Sequence, residues 1–284
     1  MKYLFCLVMA MALPALSFAE DVSPNVGTEV PVAAPVEAPE IPQPGSQKFV
    51  VGLKTVDFNY NEPGLMSDRG WLSGLNVQYR RMMSETNTLI VSADYVQGST
   101  IYNGALQTNT GDKTPYSSTE QFRVMSLEAA FSGPILNSNT WGAVAGFGYR
   151  NTYDNKTGQY DYRRDITYYY TVLGLTALLY NQGKIKAVGI GELNTLLGGG
   201  AKTYLSDVSS SYKDVNFAFR NGAAVKLGIE TSIKDFIGKE ILIDVSYKYW
   251  TVADSNVEYV GNNSYGLEPH NTTGLTSISV GYVF

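Results

Sequence analysis

Cysteine is nearly missing from this sequence: Cys6 is the only one in 284 residues. It lies inside an apolar leader, so the chain left after removal of that leader has no thiol. That excludes disulfide scaffolding, thiol redox chemistry and cysteine-ligated metals. Histidine is equally scarce, with His270 alone. One imidazole leaves only carboxylates for a metal, and the acidic stretches around Asp154 and Asp161 lack calcium-loop spacing. Gly198-Gly199-Gly200 is not followed by the Lys-Ser/Thr pair of a phosphate loop. No cofactor is expected. After residue 19 there is no hydrophobic run of the roughly 20 residues that a spanning helix needs. Excess positive charge is also absent. The formal net charge is −5, without a basic patch or stripe, which argues against nucleic acid as a partner.

What is present divides the chain into three. Lys2, an apolar run over 3–16 and small residues at Ser17 and Ala19 form a secretory signal. Cleavage is expected after Ala19 and removes one positive charge. Residues 20–47, EDVSPNVGTEVPVAAPVEAPEIPQPGSQ, hold no Lys or Arg and are rich in Pro, Val, Ala and Glu. Such a composition cannot bury a core, and a flexible periplasmic linker is expected. The remainder, 48–284, reads as one domain, with tyrosine (21) and glycine (28) abundant in the chain.

From Lys48 onward the sequence alternates with a period of two, the mark of strands with two unlike faces. Trp71, Leu75, Val77 and Tyr79 point one way, and Gly74, Asn76, Gln78 and Arg80 the other. The same pattern recurs at 89–95, 125–131, 141–150, 217–230, 241–249 and 275–284. In the segment 217–230, Phe217 and Phe219 group with Ala223, Val225, Leu227 and Ile229, opposite Arg220, Lys226 and Glu230. Residues 49–60 change phase near Lys54 and Thr55, which predicts a bulge. Residues 166–180 are apolar on both faces, with Leu173, Leu175, Ala177 and Leu179 assigned outward. The Gly-rich segment 184–197 has an ambiguous phase. Counting it gives ten strands; without it there are eight. Short connections at 83–87, 132–138, 181–183 and 232–239 alternate with longer polar ones at 61–69, 98–120, 151–164, 199–214 and 253–273. An all-β, transmembrane up-and-down antiparallel barrel predicts this rhythm, with its long loops at one end.

The polar face carries Lys54, Arg80, Arg150, Arg220, Lys226 and Lys248 against Asp94, Glu128, Glu230, Asp244 and Glu192. Unpaired in a dry core, each charge would cost several kcal/mol; in a wet or salt-bridged lumen such charges are ordinary. The near balance of signs predicts mutual pairing in a narrow lumen, of Arg80, Arg150 and Lys248 with Asp94, Glu128 and Asp244. Trp71, Tyr79, Tyr95, Trp141, Tyr149, Tyr247 and Tyr249 stand near strand ends and fit the aromatic girdles of a membrane barrel. Outer-membrane lipid and lipopolysaccharide are the expected surroundings. Arg163-Arg164, beside Tyr168-Tyr169-Tyr170, reads as a girdle with flanking charges.

The last six residues, Ser279-Val280-Gly281-Tyr282-Val283-Phe284, resemble the signal that bacterial barrel-assembly machinery reads, with Tyr282 and Phe284 as its key positions. Upstream, Tyr249-Trp250-Thr251-Val252-Ala253-Asp254-Ser255 and then Glu268-Pro269-His270-Asn271-Thr272-Thr273 resemble the end of small porin-family outer-membrane proteins of Gram-negative bacteria. Thr203-Tyr204-Leu205-Ser206-Asp207 is similar to that group as well. The resemblance is strongest in the C-terminal third. It implies an outer-membrane location and a porin-like or structural role, without a particular solute or reaction. A second expectation is adhesion or recognition of an external ligand or host surface through loops 98–120 and 253–273. A third is an enzyme using His270. In omptin proteases, which also have ten strands, an Asp-x-His pair works with further acids; here Glu268 takes the Asp place. Ser255 and Ser264 share the loop with His270, the residue types that barrel acylases and deacylases use. A loop histidine facing water is the simpler expectation, and no enzymatic activity is expected.

Overall fold

The computed structural model describes residues 44–107, 113–136, 138–156 and 161–284. The expected signal peptide, and the Pro-rich segment through residue 43, lie outside the described residues. Thirteen strands follow in order. The first six are β1 (Gln47–Glu62), β2 (Met66–Met82), β3 (Thr88–Gln107), β4 (Lys113–Pro134), β5 (Trp141–Lys156) and β6 (Arg164–Gln182). Then come β7 (Ile185–Thr203), β8 (Val215–Phe219), β9 (Gly222–Phe236), β10 (Lys239–Val252), β11 (Glu258–Gly261), β12 (Ser264–Gly266) and β13 (Asn271–Val283).

These segments make ten staves of one closed antiparallel barrel. β8 and β9 are one stave interrupted at Arg220 and Asn221, since both pair with β7 in a single continuous register. β11 and β12 form a separate hairpin inside the last long loop. Closure comes from β13, which lies between β10 and β1. Its pairing with β1 runs from Val50↔Val283 to Asn61↔Thr272, and the backbone of Phe284 exchanges hydrogen bonds of 2.7 and 3.1 Å with Phe49. A closed barrel has no free edge to pair with another chain.

The hairpins at one end are tight, with residues 183–184 joining β6 to β7 and 237–238 joining β9 to β10. At the other end the connections reach their greatest length between β10 and β13. Strands run further toward this loop end than the hydrophobic pattern indicated. Residues 61–62, 66–69, 98–107 and 113–120 belong to strands instead of loops. The pattern stops early because the outer face turns polar there while the backbone ladder continues.

The outer face is apolar over a broad band. Leu53, Trp71, Phe147, Leu173, Leu175, Leu227 and Ile278 are all more than half exposed. A band of that kind is foreign to a water-facing surface. The inner face is where the expected phases need correction. β1 keeps one register throughout, with every even-numbered residue from Val50 to Glu62 turned inward, so no bulge stands at Lys54 and Thr55. What changes is chemistry. Phe49, Val51 and Leu53 face outward near the turn end, whereas Val56, Phe58 and Tyr60 face inward nearer the loops. The true phase change lies elsewhere. Leu197 is an extra residue in β7 against Tyr169 and Tyr170, and β8–β9 flips beside it at Arg220 and Asn221. Phe217 and Phe219 therefore point inward and are buried. Arg220, expected in the lumen, is exposed.

Small inward residues make room for large ones. A Cβ added at Gly148 would meet the Tyr170 ring at 2.2 Å. Gly148→Leu is therefore expected to overpack the interior and lower stability by about 1–3 kcal/mol. The check is the urea midpoint of the folded, detergent-solubilised barrel. A midpoint equal to that of the wild type would show that the Tyr170 ring is free to move aside.

Candidate functional site

The candidate site is the barrel interior, which is built in three tiers. Nearest the turn end is a polar tier of ion pairs. The Arg80 guanidinium donates to Glu230, with Nη1 at 2.8 Å from Oε1. Lys54 Nζ lies 2.6 Å from Asp94, which also accepts from Asn76 at 2.6 Å and Ser126 at 3.2 Å. Lys226 Nζ lies 3.0 Å from Glu192. Lys248 Nζ lies 2.8 Å from Glu128, which accepts a further bond from the Tyr170 hydroxyl at 2.8 Å. β4 and β10 are five staves apart in a barrel of ten, so the Lys248–Glu128 pair crosses the full diameter of the lumen.

The middle tier is apolar. Trp250, Tyr170, Phe58, Leu72 and Val172 are each at most 2% exposed. Trp250 packs against Tyr168 and Tyr170 with ring centroids 5.5 and 5.0 Å apart. Phe58 meets Phe122 at 4.8 Å across three staves. Phe217, Phe219, Leu196 and Ala224 complete this layer.

The third tier, at the loop end, is organised by one buried cation. Arg164 starts β6 and is 2% exposed. Its Nη1 lies 2.9 Å from Glu62 and 3.7 Å from Glu268, and its Nη2 lies 3.0 Å from Asp154 and 3.8 Å from Asp68. The carboxylates come from β1, β2, β5 and the loop before β13. Tyr60 donates to Glu62 at 2.8 Å, and the Thr203 hydroxyl donates to Glu268. Oxygens of Asp68, Glu120 and Asp154 lie within 4.8 Å of one another, all three residues being buried. This acidic set is part of the arginine cluster.

Outside the barrel mouth, Arg163 clamps Asp207 with Nε and Nη2 at 2.8 and 2.9 Å. These hydrogen bonds hold the Asp207 carboxyl below its ordinary range. A lowered carboxyl keeps its contribution at neutral pH and loses it only as pH falls through that lowered value. The clamp thus persists through mild acid.

The structure brings Lys54, Asp94, Arg80, Glu230, Lys226, Glu128 and Lys248 together in the lumen; Lys248 pairs with Glu128, one of the carboxylates expected for it, but the other expected partners differ. Arg80 pairs with Glu230. Arg150, expected beside a carboxylate, has no partner for its Nε or Nη1. Asp244 accepts from Ser246 at 3.0 Å and forms no ion pair within 4.0 Å among the described residues. Arg220 stands outside. Tyr282 and Phe284 face outward at the turn end, 47% and 67% exposed. The Arg164 cluster was not legible in the sequence, because its members fall in segments that read as loops. The signal that could have found it is continued alternation: Asp68, Glu120 and Asp154 keep the parity of the inward residues on their strands.

His270 is exposed. Its backbone N–H donates to Asp254, and its ring Nε2 shares a hydrogen bond of 3.1 Å with the Thr251 hydroxyl. Ser255 bonds the backbone of Asn256 and Glu268, and Ser264 the carbonyl of Asn262. The histidine, serine and acidic side chains of this loop therefore do not form a relay.

No family model and no curated protein matches the chain. Solved structures do share the fold. The outer membrane protease OmpT from Escherichia coli aligns over 84% of this chain and 96% of its own, at 10% identity and a TM-score of 0.53. The translocator domain of the autotransporter NalP from Neisseria meningitidis aligns over 85% and 90%, at 13% identity and a TM-score of 0.41. Ail, the attachment invasion locus protein of Yersinia pestis, aligns over 85% and 100%, at 12% identity and a TM-score of 0.35. The likeness to OmpT agrees with the closed β-barrel of the chain and extends to architecture alone.

Arg164→Met leaves its carboxylates buried without their cation and is expected to cost about 3–5 kcal/mol. Lowering the pH should restore part of the loss, because protonation removes the uncompensated charge. Urea midpoints of the variant and the wild type at neutral and acid pH provide the check. A variant as stable as the wild type at neutral pH would disprove the neutralising role.

Proposed function

We propose that this chain is an outer-membrane barrel, exported through its signal peptide, that acts as a closed anchor for surface loops. The observation that carries the reading is the filled interior. An aromatic layer and ion pairs across the diameter occupy the lumen, and the cavity between them measures about 90 Å³. The apolar outer band supports a bilayer setting, as does a C-terminus resembling a barrel-assembly signal. Of the porin-like and structural roles, the packed lumen favours the structural one. Planar-bilayer recordings on the purified, folded chain provide the test. Only baseline current is expected; a stable ohmic conductance would sink the closed-anchor reading.

A second reading, recognition of an external partner, has its own support in the hairpin β11–β12. Asn262 and Asn263 both have positive φ (49° and 52°), the requirement of a tight type I′ turn. The hairpin holds Tyr259 and Tyr265 edge to face at 5.5 Å, 41% and 72% exposed. Exposed aromatics on a rigid hairpin suit a binding surface, since they give large contact area at low entropic cost. Replacing residues 257–267 by a short Gly-Ser linker should leave the barrel folded and abolish attachment to host surfaces. Unchanged attachment by cells displaying the shortened protein would remove this reading.

A further inference from the structure

Among the described residues, Arg150 is the lumen arginine without an ion pair. It projects inward from β5, is 5% exposed, and its Nε and Nη1 have no hydrogen-bond partner. Its surroundings are aromatic: the guanidinium lies 5.8 Å from the Tyr168 ring centroid, and the ionisable groups that bear on it are Tyr168, Tyr170 and Tyr60. A buried guanidinium with unused N–H groups is costly unless an acceptor completes it.

Arg150 lines the cavity of about 90 Å³ that lies between the ion-pair tier and the aromatic layer. The cavity wall carries four cations, Lys54, Arg150, Lys226 and Lys248, and two carboxylates, Asp94 and Glu128. The three lysines have their own carboxylates, Asp94, Glu192 and Glu128, which leaves Arg150 as the cation on this wall without a carboxylate; the unpaired Asp244 bears on Lys226 and Lys54 instead. The unpartnered buried polar atoms on this wall are Arg150 Nε, Arg150 Nη1 and Trp250 Nε1. All are donors. The volume exceeds the roughly 10–15 Å³ that one water requires, but is far below the roughly 300 Å³ at which drug-sized ligand pockets begin.

We propose that this cavity is a binding site for a small monoanion, a carboxylate or oxyanion of about the size of acetate, with Arg150 as its cationic anchor and Trp250 Nε1 as a second donor. The missing counter-ion of Arg150, the unused donors and the volume converge on the same ligand. The site is independent of the external loops and of conduction.

The test uses the full chain folded in detergent, with sodium acetate exchanged for sodium gluconate at constant total salt, gluconate being too bulky for the cavity. The melting midpoint is expected to rise saturably as acetate replaces gluconate, as a ligand that binds only the folded state requires. Arg150→Met, which keeps the stem and removes the charge, should abolish the response. Trp250→Phe, which removes one donor, should keep it with apparent affinity weakened about ten-fold. An acetate response in Arg150→Met equal to that of the wild type, or none in the wild type, would overturn the proposal. Should Arg150→Met fail to fold, Arg150→Lys takes its place: a shifted saturation point is expected, and an unchanged one overturns the proposal.

Discussion

The pairing of β13 with β1 is the constraint on which the rest of the structure depends. In apolar surroundings each backbone N–H and C=O must find a partner within the chain, and only a helix or a closed sheet satisfies all of them. Pairing from Val50↔Val283 to Asn61↔Thr272 turns a ribbon of strands into a tube with two separate faces. The tube then fixes the chemistry of every residue by parity. One parity meets the exterior and must be apolar. The other is enclosed in a narrow space where charges have to be matched or large rings packed together.

The enclosed space is filled by two different solutions. Near the turns, charge meets charge, as in Lys54–Asp94 and Lys248–Glu128. Further up, Phe58, Phe122, Tyr170 and Trp250 replace them with a buried aromatic layer. Above that layer Arg164 returns to electrostatics, holding Glu62 and Asp154 at 2.9 and 3.0 Å. The apolar layer separates the two charged regions. It also lowers the effective dielectric around each, which strengthens correct pairs and raises the cost of incorrect ones.

Parity also explains what could be read from the sequence. The barrel, its ten staves and the outward apolar residues were legible wherever apolar and polar residues alternated strictly, as in Trp71 to Arg80. The reading failed where the interior is itself apolar. In β1 the passage from Leu53 outward to Val56 inward resembles a bulge, because both faces change character at the same level. Phe217 and Phe219 were placed outward for the same reason. Their neighbours Val225 and Leu227 do face outward, and the break at Arg220 and Asn221 leaves no compositional mark. Among the lumen charges named, membership was readable for all but Arg220, and partnership only for Lys248 with Glu128. Arg80 finds Glu230 across the barrel and Arg150 finds no carboxylate, because partnership depends on strand stagger, which composition does not record.

The lumen ion pairs have a consequence for how the barrel comes together in time. Arg80 and Glu230 are 150 residues apart, Lys248 and Glu128 are 120 apart, and Arg164 and Glu62 are 102 apart. Loops that long close slowly. An assembling chain therefore carries Arg80, Glu128 and Glu62 without counter-ions until partners four or five staves away arrive. A half-built barrel gains little by burying them, and the last strands contribute a disproportionate share of the stabilisation. Completion becomes nearly all-or-none, and partial forms remain easy to unravel until β10 and β13 take their places.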